Sequence, residues 1–428
     1  MRYRTRALSL AILFSLSHFA SAEELHVWIR ASNDSKVIYQ KLANNFEKQT
    51  GISIKYFNAV TDFDQRLARA ATGNALPDVV FNDAIIVGQM VQLGIVDEID
   101  PTKLKHGADV YEAAWKSTQL PDGKYYGVPT SAHTYALFIR QDWLNKLGMK
   151  APTTWNELKK VAHAFTFDDP DGNGKNDTYG FVMPLATTRG YASSFSSSYL
   201  WQAGGNYLVA TQPGKFKGAL DSKEAVTAMT FMRSMVCEGV SQPGAINQTT
   251  ADANTSYRSG QSGMYSSGPY HIALFDKDPG KAAYTVEPPP AGPGGTTSMT
   301  EGTTAFLMKT SQHKAAAMKF LEFMISPEGQ EIGMAVHSSS MPVVRLPVNK
   351  KLAIADYHPD PKWAVFAQTY AKDGRYMPQI PNWIPVRQIT ADGFNKIYAD
   401  CNSDIPGLLE EINNKVNAEL KRQNVWAE

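Results

Sequence analysis

Between Leu25 and Leu93 strand and helix signals alternate three times, and a chain built that way folds around a largely parallel sheet with helices on its faces. Leu25-His26-Val27-Trp28-Ile29 reads as a buried strand. Asn33, Asp34 and Ser35 offer N-caps for a helix with Ile38, Leu42 and Phe46 on one face, stopped by Gly51. Ile52 to Phe57 gives a second strand, Asp64 to Ala71 a helix ending at Gly73, and Pro77 to Asn82 a third strand before a helix through Met90 to Leu93. In such open sheets ligands bind beyond the carboxyl ends of the strands, where helix N-termini converge. Here those places are Arg30 to Ser35 and Asn82 to Ile85, so Asp34 and Asp83 are either ligand contacts or simple N-caps.

Further along, Tyr135 to Ile139 reads as a strand crossing between domains, and Thr154-Trp155-Asn156-Glu157 as a capping box opening a helix to about Phe165. Residues 186–206, rich in Ser, Gly and aromatics, suit a cleft-lining segment. Ser222 to Cys237 and Ser311 to Ile325 have amphipathic helical spacing. The run Glu287-Pro288-Pro289-Pro290 through Gly295 is a loop suited to an interdomain connection, and Ser326-Pro327 starts another helix.

The first 22 residues stand apart. Arg2, Arg4 and Arg6 precede an apolar run from Ala7 to Ala20, and Ala20-Ser21-Ala22 is a small-x-small cleavage pattern. The expectation is a signal peptide cut after Ala22 and a soluble, exported mature chain. The full 428 residues suggest two or three domains, and 42 Lys+Arg against 41 Asp+Glu speaks against a nucleic-acid partner. The 2 cysteines, Cys237 and Cys401, are too few to staple a fold of this size. They form one disulfide in an oxidising compartment or remain two buried thiols, and the sequence leaves both readings open.

Catalytic signatures are missing. No Gly-Lys pair continues into a phosphate loop, and GxGxxG, HExxH and GxSxG do not occur. No catalytic cofactor is expected. Asp169-Pro170-Asp171-Gly172-Asn173-Gly174-Lys175-Asn176-Asp177 matches the first nine positions of a calcium loop. Asp169, Asp171, Asn173, the Lys175 carbonyl and Asp177 would supply oxygens to a structural Ca²⁺, although Gly180 replaces the usual twelfth-position Glu. The alternative is a polar turn without metal. Aromatics in polar loops form the other signal: Trp201 beside Gly204-Gly205, Tyr270 after Gly268-Pro269, and Trp383 between Pro381 and Pro385. A flat ring beside hydrogen-bonding groups suits a sugar, which has C–H faces and a polar rim.

Taken in order, Leu-Pro-Asp-Val-Val-Phe-Asn-Asp (76–83), Tyr-Gly-Val-Pro-Thr (126–130), Ser-Ser-Gly-Pro-Tyr (266–270), Thr-Glu-Gly-Thr-Thr (300–304) and Phe-Met-Ile-Ser-Pro-Glu-Gly-Gln (323–330) carry a family likeness. The mature chain resembles the carbohydrate receptors of bacterial ABC importers, the periplasmic solute-binding class that includes maltose-binding protein. The resemblance implies an α/β fold of two lobes, each a mostly parallel sheet flanked by helices, closing on a ligand between them. By that analogy lobe one is 23–130 plus 299–342, and lobe two is 131–298 plus 343–428.

The resemblance also implies ligand contacts. Arg30, Asp34, Asp83, Glu301 and Gly302 would contribute from lobe one, His133 after the first crossing, and Trp201, Tyr270 and Trp383 as platforms on lobe two. The expected protein is a non-enzymatic monomer that passes a di- or short oligosaccharide to a membrane permease. A neutral sugar fits best with carboxylates at the cleft, while Arg30, Arg189 and Arg258 would suit an acidic one. An exported glycoside hydrolase and a receptor for a non-sugar solute are the rival readings.

Overall fold

The computed structural model describes residues 23–31, 33–59, 62–336, 338 and 340–427. The leader and its cleavage site lie outside them. One sheet is built on β1 (Glu24–Arg30), β2 (Ser53–Ala59) and β3 (Val79–Asp83), with β1 central and parallel to both neighbours. Ile38, Leu42 and Phe46 of the helix Lys36–Thr50 are buried, and Gly51 ends that helix at φ 73°, a left-handed conformation that glycine adopts without a Cβ clash. β11 (Ser298–Leu307) joins β3 antiparallel, and β4 (Val128–Thr134) pairs antiparallel with β11 on its far side, so β4 runs in the same direction as β1, β2 and β3.

The second sheet joins β5 (Ala136–Arg140), β6 (Tyr179–Val182), β9 (Ser262–Ser267) and β10 (Tyr284–Glu287) in the order β10-β5-β9-β6. Only β6 and β9 run parallel, so this lobe departs from the mostly parallel sheet expected. The reason is its strand supply, since β5 arrives directly from the first sheet instead of through a helical crossover. β7 (Leu208–Gln212) and β8 (Lys215–Gly218) form a separate hairpin, and β12 (Gly374–Arg375) is a short edge to β11.

Two crossings link the sheets side by side. Tyr135 alone separates β4 from β5, and the Pro/Gly loop 288–297 carries β10 back to β11. A third passage comes later than the lobe boundary expected after residue 342. Leu346 bridges to Ala132 and Asn349 to Val110, so this stretch packs on the first sheet before the chain moves to the second lobe. There the helices Ile384–Ala399 and Ile405–Arg422 pack against each other and against Lys223–Cys237.

Cys237 and Cys401 are joined in a disulfide with their Cα atoms 5.7 Å apart, which resolves the two sequence readings in favour of the bridge. Arg233 donates from Nη1 to the Ser403 carbonyl at 2.6 Å beside it, so covalent and polar ties fall at one junction. Residues 191–202, expected along the cleft, form instead a buried helix (Tyr191–Gln202). Its serines are consumed internally: Ser193 Oγ lies 2.7 Å from Thr390 Oγ1, and Ser196 Oγ lies 2.7 Å from the Tyr398 hydroxyl. The turn before that helix, Thr188–Gly190, meets the first lobe through Arg189, and within the helix Ser198 Oγ accepts from the Met299 N–H of β11 at 2.9 Å. Among the described residues no helix is long and apolar enough to cross a membrane.

Candidate functional site

The carboxyl ends of β1 and β3 place Arg30 and Asp83 side by side, with Arg30 Nη1 donating to Asp83 Oδ2 at 2.6 Å. Asp83 occupies the N-cap position of the turn Ala84–Ile86, but its carboxylate makes no capping bond and is held in an ion pair instead. Asn82, fully buried, orients the neighbours by donating to Asp64 Oδ1 at 3.1 Å and accepting from the Asp83 N–H at 2.8 Å. Arg189 reaches across from lobe two, pairing with Asp64 and lying 3.6 Å from Asp83 Oδ2. Its backbone sits at φ 53°, a conformation that costs a non-glycine residue about 1–3 kcal/mol. The strain is offset by a cross-lobe contact that a relaxed turn would aim elsewhere.

Glu301 and His133 face each other as register partners on β11 and β4. Gly302 is opposite Ala132, and a Cβ there would meet the Ser131 carbonyl oxygen at 2.5 Å, so this glycine serves strand approach. Tyr270 packs edge-on to His133 at 5.4 Å and carries the Arg345 guanidinium over its ring at 5.3 Å. Arg345 also donates from Nη1 to Thr303 Oγ1 at 2.8 Å. Arg387, on the helix Ile384–Ala399, lays its stem over Gly190, where a Cβ would meet its Cγ at 2.5 Å. The buried polar atoms Arg30 Nε, Arg345 Nε and His133 Nδ1 have no hydrogen-bond partner among the described residues.

These groups set one another's charge. Burial would raise the Asp83 carboxyl, but Arg30, then Arg189 and Arg345, hold it below the ordinary value. Burial and the Asp83 charge push Glu301 up to about 8, with Arg387, Arg30 and Arg189 only partly opposing. Glu301 is thus a neutral donor at neutral pH. Burial, reinforced by Arg345, takes His133 down to about 3, so its ring is uncharged. Burial lowers Arg387, partly countered by Glu301. The cleft holds a buried, mixed-sign cluster in which carboxyls differ in state because their neighbours differ.

Glu301 carries a pH prediction. Asp83, Arg30, Arg189, Arg387, His133, Tyr135, Tyr270 and Tyr376 surround it from both lobes. Its folded value is raised, so the native state keeps a proton that the unfolded chain releases above about pH 4.5. Stability from this group is complete below that pH and is lost as pH rises through about 8. Urea midpoints at pH 5 and pH 8 should therefore fall more steeply for wild type than for Glu301→Gln; equal slopes would remove the assignment.

Other expected contacts lie differently. Asp34 is exposed in the turn Asn33–Ser35, its carbonyl accepting from the Met341 N–H at 3.1 Å. Trp201 is 3% exposed, edge-on to Tyr207 and covered by the Arg375 guanidinium at 4.8 Å, so its face is already taken. Trp383 packs edge-on to Tyr207 at 5.3 Å and borders a crevice between the lobes with Ala84, Gly88 and Tyr376. Arg258 pairs with Asp278 at 2.7 Å on exposed surface. Arg345 and Arg387 were not singled out by sequence; each is a lone charge in an apolar, Pro-containing run, Pro342 to Pro347 and Ile384 to Arg387. Asp64 read only as a helix residue.

The 169–177 loop is exposed and closed on itself. Asp169 Oδ1 accepts from the Gly172 N–H at 3.0 Å, and Asn173 Nδ2 donates to Asp171 Oδ2 at 2.8 Å and to Asp177 Oδ1 at 3.1 Å. The Lys175 N–H donates to Asn173 Oδ1 at 2.8 Å. Its oxygens suit calcium in kind but are engaged within the turn, and Gly180 lies in β6 with no side chain to add. Among the described residues no group of three or more His, Cys, Asp and Glu is placed to hold a metal.

Two lobes joined by crossing strands, with polar groups of both converging at strand ends, define a solute receptor. Residues 31–331 match the family described as Bacterial extracellular solute-binding protein, and the chain belongs to it. It is 25% identical over 334 residues to a binding protein of Brucella abortus, covering 78% of this chain and 77% of that one. Its fold is similar to an ABC transporter solute-binding protein from Thermotoga lettingae bound with α-D-tagatose, at TM-score 0.80 and 21% identity over 93% of this chain and 100% of that chain. The GacH receptor of Streptomyces glaucescens, solved unliganded and with acarbose, matches at TM-score 0.80 and 21% identity over 95% of this chain and 100% of that one. Likeness at that identity establishes the two-lobed α/β fold.

Proposed function

We propose that this chain is the exported, periplasmic receptor of an ABC importer, binding a di- or short oligosaccharide between its lobes and delivering it unchanged to the permease. The observation that carries this reading is the convergence of Arg30, Asp83 and Glu301 with Arg189, His133 and Tyr270 in one interlobe cleft. Charged and amide groups there bond hydroxyls, and Tyr270 adds an aromatic ring beside them of the kind that packs on C–H faces. The structural relatives bound with tagatose and acarbose agree with it. In this reading the leader is cut after Ala22 and the mature chain acts as a monomer. A thermal-shift screen against sugars, polyamines and phosphate esters tests it: a sugar should give the largest shift, since a ligand at 100 times its Kd adds about 2.7 kcal/mol. A shift from a non-sugar alone would overturn it.

One observation favours a second reading. Asp83 is held ionised while Glu301 stays protonated in the same cleft, the division of labour of a glycoside hydrolase. Asp83, however, is paired with Arg30 and Arg189, which leaves it poorly placed as nucleophile or base. Release of new reducing ends from a bound oligosaccharide would support the hydrolase.

A structural calcium in the 169–177 loop belongs to the same proposal, resting on the motif. Binding would require the carboxylates to turn from their loop N–H groups toward a common centre. Millimolar Ca²⁺ should then raise the melting temperature by about 2 °C or more over chelator. No shift would leave the loop a turn.

A further inference from the structure

We propose that the solute is acidic: a short chain of hexuronate units whose carboxylates are received by Arg345 and Arg387. The inference rests on the carbohydrate-receptor reading and narrows its substrate class. Arg30, Arg189, Arg345 and Arg387 all face the cluster that holds Asp64, Asp83 and Glu301. The acids do not balance them. Asp83 takes Arg30 and Arg189, and Asp64 takes Arg189. Among the described residues no carboxylate lies within ion-pair distance of Arg345 or Arg387.

The imbalance is larger at neutral pH, where Glu301 keeps its proton. Burial lowers Arg387, and Glu301 opposes this less while it keeps its proton. An uncompensated buried guanidinium is costly, by several kcal/mol for a desolvated ion. Retaining two of them in a cleft makes physical sense when the ligand brings the counter-charge. The planar guanidinium fork matches a carboxylate's two oxygens. Arg345 presents a buried Nε with no partner, beside a Tyr270 ring that can pack on the sugar.

The two arginines reach the cleft by different routes. Arg345 comes from the stretch that packs on β4, and Arg387 from the lobe-two helix Ile384–Ala399. A ligand meeting both through separate carboxylates would bridge the lobes, as a repeating uronate does and a single small acid does not. A protonated Glu301 can donate to a hydroxyl or carboxylate of the ligand without repelling it. On this proposal the cleft carboxylates do not repel an acidic ligand, because they are neutralised by arginine or by a proton.

The test uses the whole mature protein, freed of ligand by unfolding and refolding with the disulfide intact. Titration calorimetry compares 1,4-linked trimers of galacturonate, mannuronate and glucuronate with the same trimers after carboxyl reduction, and with glucose 1-phosphate. At least one acid trimer should bind 100-fold or more tighter than its reduced counterpart. Arg345→Gln and Arg387→Gln should each weaken that trimer tenfold or more, with Arg387→Lys recovering part of the loss. If a reduced trimer binds as well as its acid, or binds when no acid does, the acidic assignment is wrong and the sugar-receptor reading stands. If no trimer binds but glucose 1-phosphate does, the uronate assignment is wrong and phosphate is the recognised anion. If nothing in the set binds while a non-sugar solute does, both readings fail. The wild-type comparison decides the matter even if an arginine variant folds poorly.

Discussion

Gly88→Ala should weaken ligand binding about 5- to 150-fold while leaving the protein as stable as wild type or slightly more so. Gly88 lies in the lobe-one helix Val87–Gln92, and a Cβ there would fall 2.0 Å from the Pro381 carbonyl oxygen at the head of the lobe-two helix Ile384–Ala399. The obstacle is backbone, so the lobes must separate. Overpacking of this kind costs about 1–3 kcal/mol, and here the cost falls on the closed arrangement alone. A ligand that binds by closing the lobes loses that amount in affinity. Within lobe one the same change favours the helix, since alanine stabilises a helix interior by roughly 0.5–1 kcal/mol over glycine. Calorimetry with the cognate solute and urea unfolding check the two halves. Unchanged affinity would mean that closure does not bring Gly88 against Pro381; lost stability would place the contact inside one folding unit.

Breaking the disulfide with Cys237→Ser plus Cys401→Ser should lower unfolding free energy by about 2–5 kcal/mol. The bridge closes a loop of 164 residues, and long loops lose the most entropy on cross-linking in the unfolded state. It also fixes the end of the helix Lys223–Cys237 to the passage between the helices Ile384–Ala399 and Ile405–Arg422. Arg387 belongs to the first of those and Trp383 immediately precedes it, so the variant should bind ligand more weakly at temperatures near its melting point. Denaturation of oxidised wild type, reduced wild type and the double variant measures the effect. Three coincident curves would show that the cross-link contributes nothing.

The first lobe's parallel strands and helices were legible because each element carries its own pattern. Leu25 to Ile29 and Ile38, Leu42 and Phe46 repeat at strand and helix spacing, and Gly51 marks the stop. Strand ends then located Arg30 and Asp83, since a parallel sheet sends ligand groups to its carboxyl edge. The second lobe was harder, because β5, β9 and β10 meet through contacts distant in sequence, which no local period reports. Trp201 read as a platform because an aromatic beside glycines looks alike whether buried or open; Tyr207 and Arg375 cover it. The residues 191–202 misled similarly, since Ser-rich composition marks a surface only until serines find partners inside. Arg345 and Arg387 left almost no signal. Their meaning depends on which acids are absent around them, and that is a property of three dimensions.

On the proposed function, one solute molecule, a sugar, is held between the lobes and released unaltered. The most direct measurement combines calorimetry of ligand-free protein with chromatographic recovery of the sugar after denaturation. One sugar per chain is expected, with Arg189→Ala and Gly88→Ala both weakening its binding, and the sugar should be recovered at its original length. Shortened sugar with new reducing ends would contradict it, as would a protein that binds no sugar while binding another solute in the same cleft.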